Sequence, residues 1–228
     1  MVRKRNIRPA LKPNFASCRE HKYKRTKNEK NFLSRLQAKT ISDFSEQWQW
    51  HVNNSGFYGS LSLLQDILGP LIDTRELRGA RVAEVGCGTG RVCEMLLRAG
   101  AHHVTGVEPS ASGAICIQNL KKWGNRFRLL RTEGKNLPSG SFDFVFSIGV
   151  IHHIPDPMPV LQAMRASLKK KGTCCIWVYG KEGNQLYLLL AKTLRSLTTK
   201  LSHRMLVLLS WSLWLMAVAY GRIASFYS

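Results

Sequence analysis

The 228 residues, 44% of them hydrophobic, suffice for one α/β domain with a sizeable core. Six cysteines (Cys18, Cys87, Cys93, Cys116, Cys174 and Cys175) show no C-x-x-C spacing and no paired framework, which argues against a zinc site and for a reducing, cytoplasmic compartment. The formal charge of +20 is uneven: residues 1–40 hold thirteen Lys/Arg against two acids and residues 183–228 hold five against none, so the middle of the chain keeps only +4.

Residues 1–40, with Lys22, Lys24, Arg25 and Lys27 around Tyr23, show little apolar periodicity and read as a basic arm without stable structure. No apolar stretch of the secretory kind follows the basic start. Residues 41–182 read as the folded domain. Its first part is aromatic and leucine-rich, from Phe44, Trp48 and Trp50 to Leu68 and Leu71. That pattern predicts two helices broken near Asn53-Asn54-Ser55-Gly56.

The pattern then alternates: strand 81–85, helix 91–99, strand 103–107, helix 111–123, strands 127–132 and 142–146, helix 157–169, strand 173–179. Such alternation predicts a Rossmann-like parallel sheet with helices on both faces and a ligand crevice at the carboxyl ends of the strands. Asp156 reads as the N-cap of the helix at 157, with Pro157 at its first position. Lys169-Lys170-Lys171-Gly172 reads as that helix's end.

One stretch organises the rest. In Arg81-Val82-Ala83-Glu84-Val85-Gly86-Cys87-Gly88-Thr89-Gly90-Arg91, a buried strand turns through three glycines into an amphipathic helix. Such a turn presents bare backbone N–H groups and a helix N-terminus to a ligand. The spacing is G-x-G-x-G rather than the dinucleotide G-x-G-x-x-G, and no Gly-Lys-Ser/Thr follows, which excludes a P-loop. Glu108, eighteen positions beyond Gly90, ends the next strand, where a carboxylate can accept both hydroxyls of a ribose.

Here the sequence resembles the class I S-adenosylmethionine-dependent methyltransferases, of the small-molecule type that includes quinone-biosynthesis enzymes. The resemblance covers roughly residues 44–182. Beyond the glycine motif and ribose acid, Leu129 to Pro138 looks like the family's third-strand segment and Ser141 to Pro157 like its fourth strand and following loop. The resemblance implies S-adenosylmethionine as cofactor, held by Glu84, Gly86, Cys87, Gly88, Thr89, Gly90, Glu108, Pro109, Glu133, Gly134 and Ser147. It also implies that the helical segment before the sheet covers the cofactor; there Trp48 and Tyr58 stand out. Cys87 reads as a small residue of the turn, not a nucleophile.

Methyl transfer from a sulfonium is an in-line displacement, in which orientation alone can supply ~7–11 kcal/mol. A base adds on the order of 10²–10⁴-fold when the nucleophile arrives protonated. His152 and His153, after the fourth strand, are the candidate bases. Neighbouring side chains diverge, so one of the two at most is expected to touch substrate, and no third ligand makes them a metal site.

After residue 182 the chain departs from the family pattern. The closing antiparallel hairpin of the full fold is missing. Residues 183–228 read instead as a helix through Leu186–Leu190, a basic joint from Lys192 to Arg204 and an apolar run from Met205 to Gly221, a lid or a membrane-associated helix. The expected acceptor is a small or lipid-like molecule, with an anionic membrane surface as a further partner. The alternatives are an RNA methyltransferase guided by the basic arm and a truncated, inactive cofactor-binding protein.

Overall fold

The structure, a computed structural model, describes residues 26–50, 52–180, 185–198 and 201–224. Strand β1 (Arg81–Val85) lies at its centre. It pairs in parallel with β2 (His103–Val107) on one side and β4 (Phe142–Ile148) on the other; β3 (Phe127–Leu130) runs parallel to β2, and β5 (Leu168–Trp177) lies beside β4. The order β3-β2-β1-β4-β5 reverses direction at β1 and β4, the switch point at which an open α/β sheet forms its crevice.

Both faces of the sheet are covered, as the near-continuous apolar strands require. On one face Val82 and Val104 pack with Phe146 and with three helices, α2 (Leu61–Leu68), α3 (Arg91–Arg98) and α4 (Ser112–Leu120). On the other, Ala83, Val85 and Val145 pack with Val160 and Met164 of α5 (Met158–Ser167). Leu64 and Leu68, four apart on α2, are both sealed from solvent, and each such side chain contributes about 1.5–3 kcal/mol. Glu94 of α3 is buried and takes Arg98 at 2.8 Å and Lys122 at 2.6 Å, which fastens the helix to the turn after α4.

Several boundaries differ from the sequence expectations, each for a local reason. Residues 27–40, expected to lack structure, belong to α1 (Lys27–Trp50). A capping box starts it: the Thr26 hydroxyl accepts from the Glu29 N–H and the Glu29 carboxylate accepts from the Thr26 N–H. Residues 1–25 of the expected arm lie outside the described residues. Helix α4 stops at Leu120, and a 3-10 turn kinked at Gly124 continues to Arg126. The N-cap of α5 is Pro157, not Asp156.

The lysine run belongs to β5 rather than to the helix before it. Lys169 reaches across to Asp143 of β4 at 2.9 Å, and Lys171 takes a left-handed φ of 71°. No antiparallel hairpin follows β5 among the described residues; two helices do, α6 (Gln185–Thr198) and α7 (His203–Ala224), so Lys192 is helical rather than part of a joint. The chain's contacts divide it into two units between Ile176 and Trp177.

Candidate functional site

The glycine turn sits where β1 leaves the sheet. Gly86, Gly88 and Gly90 all have positive φ. The approach is closest at Gly86, where a β-carbon would come within 2.5 Å of Val150; at Gly88, whose φ is 52°, it would stand 3.3 Å from the Trp48 indole of α1. Gly90 faces the other way, where a β-carbon would come within 2.8 Å of Cys116 and Leu120. Gly90 therefore lets the turn pack on α4 rather than lining the cavity.

The turn is fastened from three sides. Glu108 accepts from the Gly88 N–H at 2.9 Å and, through its other oxygen, from the Ser110 N–H at 3.0 Å. Each carboxylate oxygen keeps a lone pair for a further donor. Asn54 donates to the Thr89 carbonyl at 3.0 Å and accepts from the Thr89 hydroxyl at 3.0 Å. Asn119 donates to the same carbonyl and to that of Val52. The segment before the sheet is thereby tied to the turn.

A single cavity with about 1070 Å³ of empty space, its open mouth included, spreads from this turn to α1. Of the residues expected from sequence, Glu84, Gly86, Cys87, Gly88, Thr89, Glu108, Pro109, Glu133, Gly134 and His153 line it. Gly90, Ser147 and His152 do not. Ser147 is fully buried and its hydroxyl donates to the Val85 carbonyl at 3.2 Å, a tie between β4 and β1. Tyr58 is exposed, and its carbonyl accepts from Arg91 at 3.1 Å.

Glu84 is the most enclosed acid of the site. Its one direct side-chain donor is the Cys93 thiol at 3.0 Å, and burial raises its pKa to about 7. A buried carboxylate at a cavity wall with a thiol as its donor is suited to a ligand that brings a positive charge. Glu133 already holds Lys135 at 2.7 Å. The Cys116 contact lowers the Cys87 thiol, but the Cys93 thiol and burial outweigh it and hold Cys87 well above the usual thiol range. Burial pushes Cys93 up as well. These thiols are unsuited to nucleophilic attack. No group of His, Cys, Asp and Glu among the described residues could hold a metal ion.

The far wall comes from α1. Gln37, Thr40, Ile41, Phe44 and Trp48 line the cavity from one side of that helix, opposite His153, Ile154 and Pro155. The Phe44 ring meets His153 edge-on at 4.7 Å, and His152 lies 4.0 Å from His153. Partial burial lowers the pKa of His153, with His152 a lesser cause, which favours a neutral imidazole able to accept a proton. Gln37 and Thr40 fell within the supposed arm. Their spacing with Ile41, Phe44 and Trp48 (i, i+3, i+4, i+7, i+11) is the signal that would have found them.

The site fits S-adenosylmethionine on three counts: the bare cradle at Gly88, the Glu108 carboxylate pinned beside it and the enclosed Glu84, which has no cation bonded to it among the described residues.

Comparison with known proteins agrees at the level of the domain. A family model described as a methyltransferase domain matches residues 83–176. The tRNA U34 carboxymethyltransferases of Alteromonas mediterranea and Desulfotalea psychrophila are each 32% identical to this chain, over 123 and 118 residues. Each match covers 50% of this chain and 37% of the relative, so the chain spans well under half the length of the curated relatives it matches. The 1,6-didemethyltoxoflavin-N1-methyltransferase of Burkholderia thailandensis, solved with 1,6-didemethyltoxoflavin and S-adenosylhomocysteine bound, shares the fold. Its TM-score is 0.50 at 22% identity, over 70% of this chain and 67% of that one.

Proposed function

We propose that this chain, whose residues 83–176 match a methyltransferase domain, is a class I S-adenosylmethionine-dependent methyltransferase that transfers a methyl group to a small, largely apolar acceptor seated between α1 and the loop after β4. The observation that carries this reading is the Glu108 carboxylate, bonded to the N–H of Gly88 and thus fixed beside the glycine cradle.

S-adenosylmethionine supplies an electrophilic methyl on a sulfonium, open to in-line attack by a lone pair. The chain's own groups do the rest. Glu108 would take the ribose hydroxyls with its spare lone pairs, and Glu84 would take the ammonium of the methionine end. The Gly88 and Thr89 backbone would face the cofactor, because no β-carbon intervenes at Gly88. Phe44, Ile41 and Ile154 exclude water from the acceptor side, where orientation accounts for most of the rate. His153 removes a proton at its open ring nitrogen from an acceptor that arrives as a phenol or alcohol. His152, outside the lining, holds the His153 ring.

Calorimetric titration with S-adenosylmethionine tests the reading. Glu108→Ala should weaken binding by about tenfold to a hundredfold, the span of one or two hydrogen bonds to a charged group. Unchanged affinity in a variant that melts like the wild type would remove the ribose role.

A second reading, methylation of tRNA, is favoured by the two relatives at 32% identity and by the thirteen Lys/Arg of residues 1–40. The apolar α1 wall favours the first. Radiolabel from the cofactor appearing in tRNA but in no lipid or small-molecule extract would reverse the order.

A further inference from the structure

Helix α7 presents apolar residues around its whole circumference, and none of its 19 residues from Arg204 to Arg222 is buried among the described residues. Val207, Leu208 and Leu209 are consecutive and exposed, and so are Leu213, Trp214, Leu215 and Met216. Four successive exposed apolar residues make more than one complete helical turn, so α7 has no polar face to turn to water. A helix lying in a membrane interface, or packed by one stripe on a protein, carries such a face.

The two serine hydroxyls inside the segment are bonded within the helix. Ser210 donates its hydroxyl to the Leu206 carbonyl at 2.8 Å and Ser212 to that of Leu209 at 2.9 Å, which leaves the backbone and both hydroxyls bonded within the helix. Surroundings that cannot hydrogen-bond demand that arrangement. At 1.5 Å per residue the segment is roughly 28 Å long, against ~30 Å of bilayer hydrocarbon. An arginine closes each end, where a long side chain can reach the headgroups. No acid occurs from residue 183 to 228, and Lys192 and Arg195 of α6 add positive charge before the helix.

From length, all-round apolarity, internally bonded serine hydroxyls and the acid-free flanks, we infer that α7 inserts across a lipid bilayer with anionic headgroups and attaches the methyltransferase domain to it. Lys192, Arg195, Lys200 and Arg204 precede the apolar run and only Arg222 follows it, so the domain side is the more positively flanked side, the one that stays with anionic lipid.

The test is flotation of the full chain with phosphatidylcholine–phosphatidylglycerol vesicles, followed by an alkaline carbonate wash. The chain should float with the vesicles and stay with them through the wash. The double variant Leu208→Arg/Leu215→Arg should lose flotation while keeping the wild-type affinity for S-adenosylmethionine, which shows that its domain is folded. Release by carbonate would overturn insertion in favour of surface attachment. A chain that stays at the bottom of the gradient as a discrete oligomer, or the charged variant floating like the wild type, would overturn the proposal altogether.

Discussion

Ionising a carboxylate sealed from water is costly, and Glu84 bears that cost at the centre of the site. Burial, the main cause, raises its folded pKa to about 7, above the ordinary value of 4.5 that the unfolded chain shows. The protonated form is thus favoured by folding. The stability this group contributes is fully present below about pH 4.5 and is lost as the pH rises through 7. The total is on the order of 3 kcal/mol. Denaturant unfolding of the ligand-free protein should show a decline of that order between pH 5 and pH 8 that Glu84→Gln removes; parallel profiles for the two proteins would refute the assignment. An ammonium arriving beside the carboxylate reverses the preference, because an opposite charge favours the ionised form. Affinity for S-adenosylmethionine should therefore rise from pH 6 to pH 8 in the wild type, with a proton released on binding, and stay flat in Glu84→Gln. Calorimetry in buffers of different ionisation enthalpy measures that proton directly.

At the scale of elements, the site depends on how the segment before the sheet is held. Asn54 is buried and serves both polar groups of Thr89, so Asn54→Ala strands the Thr89 hydroxyl and loosens the turn at its outer side. A loss of about 1–3 kcal/mol in unfolding free energy is expected, with weaker cofactor binding, while Ser55→Ala, next in sequence and exposed, should change neither. Equal effects of the two variants would sink the clamp. Neither Asn54 nor the start of α1 was legible in the sequence. Asn53-Asn54-Ser55-Gly56 has the composition of a break, and the fold does break there; nothing in composition says that one asparagine turns inward. The Thr26-x-x-Glu29 box was hidden in a run of lysines, whose helix propensity is good but whose lack of apolar neighbours concealed the periodicity. Strands β1 and β2 were legible to the residue because each is a short, largely buried valine-bearing run that ends at Gly86 or Glu108. Strand β5 was legible only in its second half, from Thr173 on: Leu168 to Gly172 read as the end of the preceding helix, whereas they begin the strand and Lys169 pairs with Asp143 of β4. The cavity was half legible, since its cradle is a local motif whereas its far wall comes from a helix some forty residues earlier.

Across the whole molecule the charge separates into two ends with different expected partners, and the two can be told apart by crossing their variants. Residues 1–25 hold nine Lys/Arg against one acid. Each phosphate neutralised by a basic side chain adds roughly −0.7 to −0.9 to the slope of log affinity against log salt. If about half of those nine side chains engage a tRNA backbone, the slope is about −3 to −4. Deleting residues 1–25 should take away most of that slope and leave both vesicle flotation and cofactor affinity as they were. Leu208→Arg/Leu215→Arg should do the converse, ending flotation and leaving the tRNA slope intact. Filter binding of tRNA across a salt series, beside flotation of the same two variants, gives the four results. If the arm deletion abolishes flotation as well, the arm rather than α7 meets the lipid. If tRNA binding survives the deletion with its slope unchanged, the polyanion surface belongs to the folded domain, and the tRNA reading of the acceptor would gain over the small-molecule one because the nucleic acid would then lie against the domain that holds the cavity.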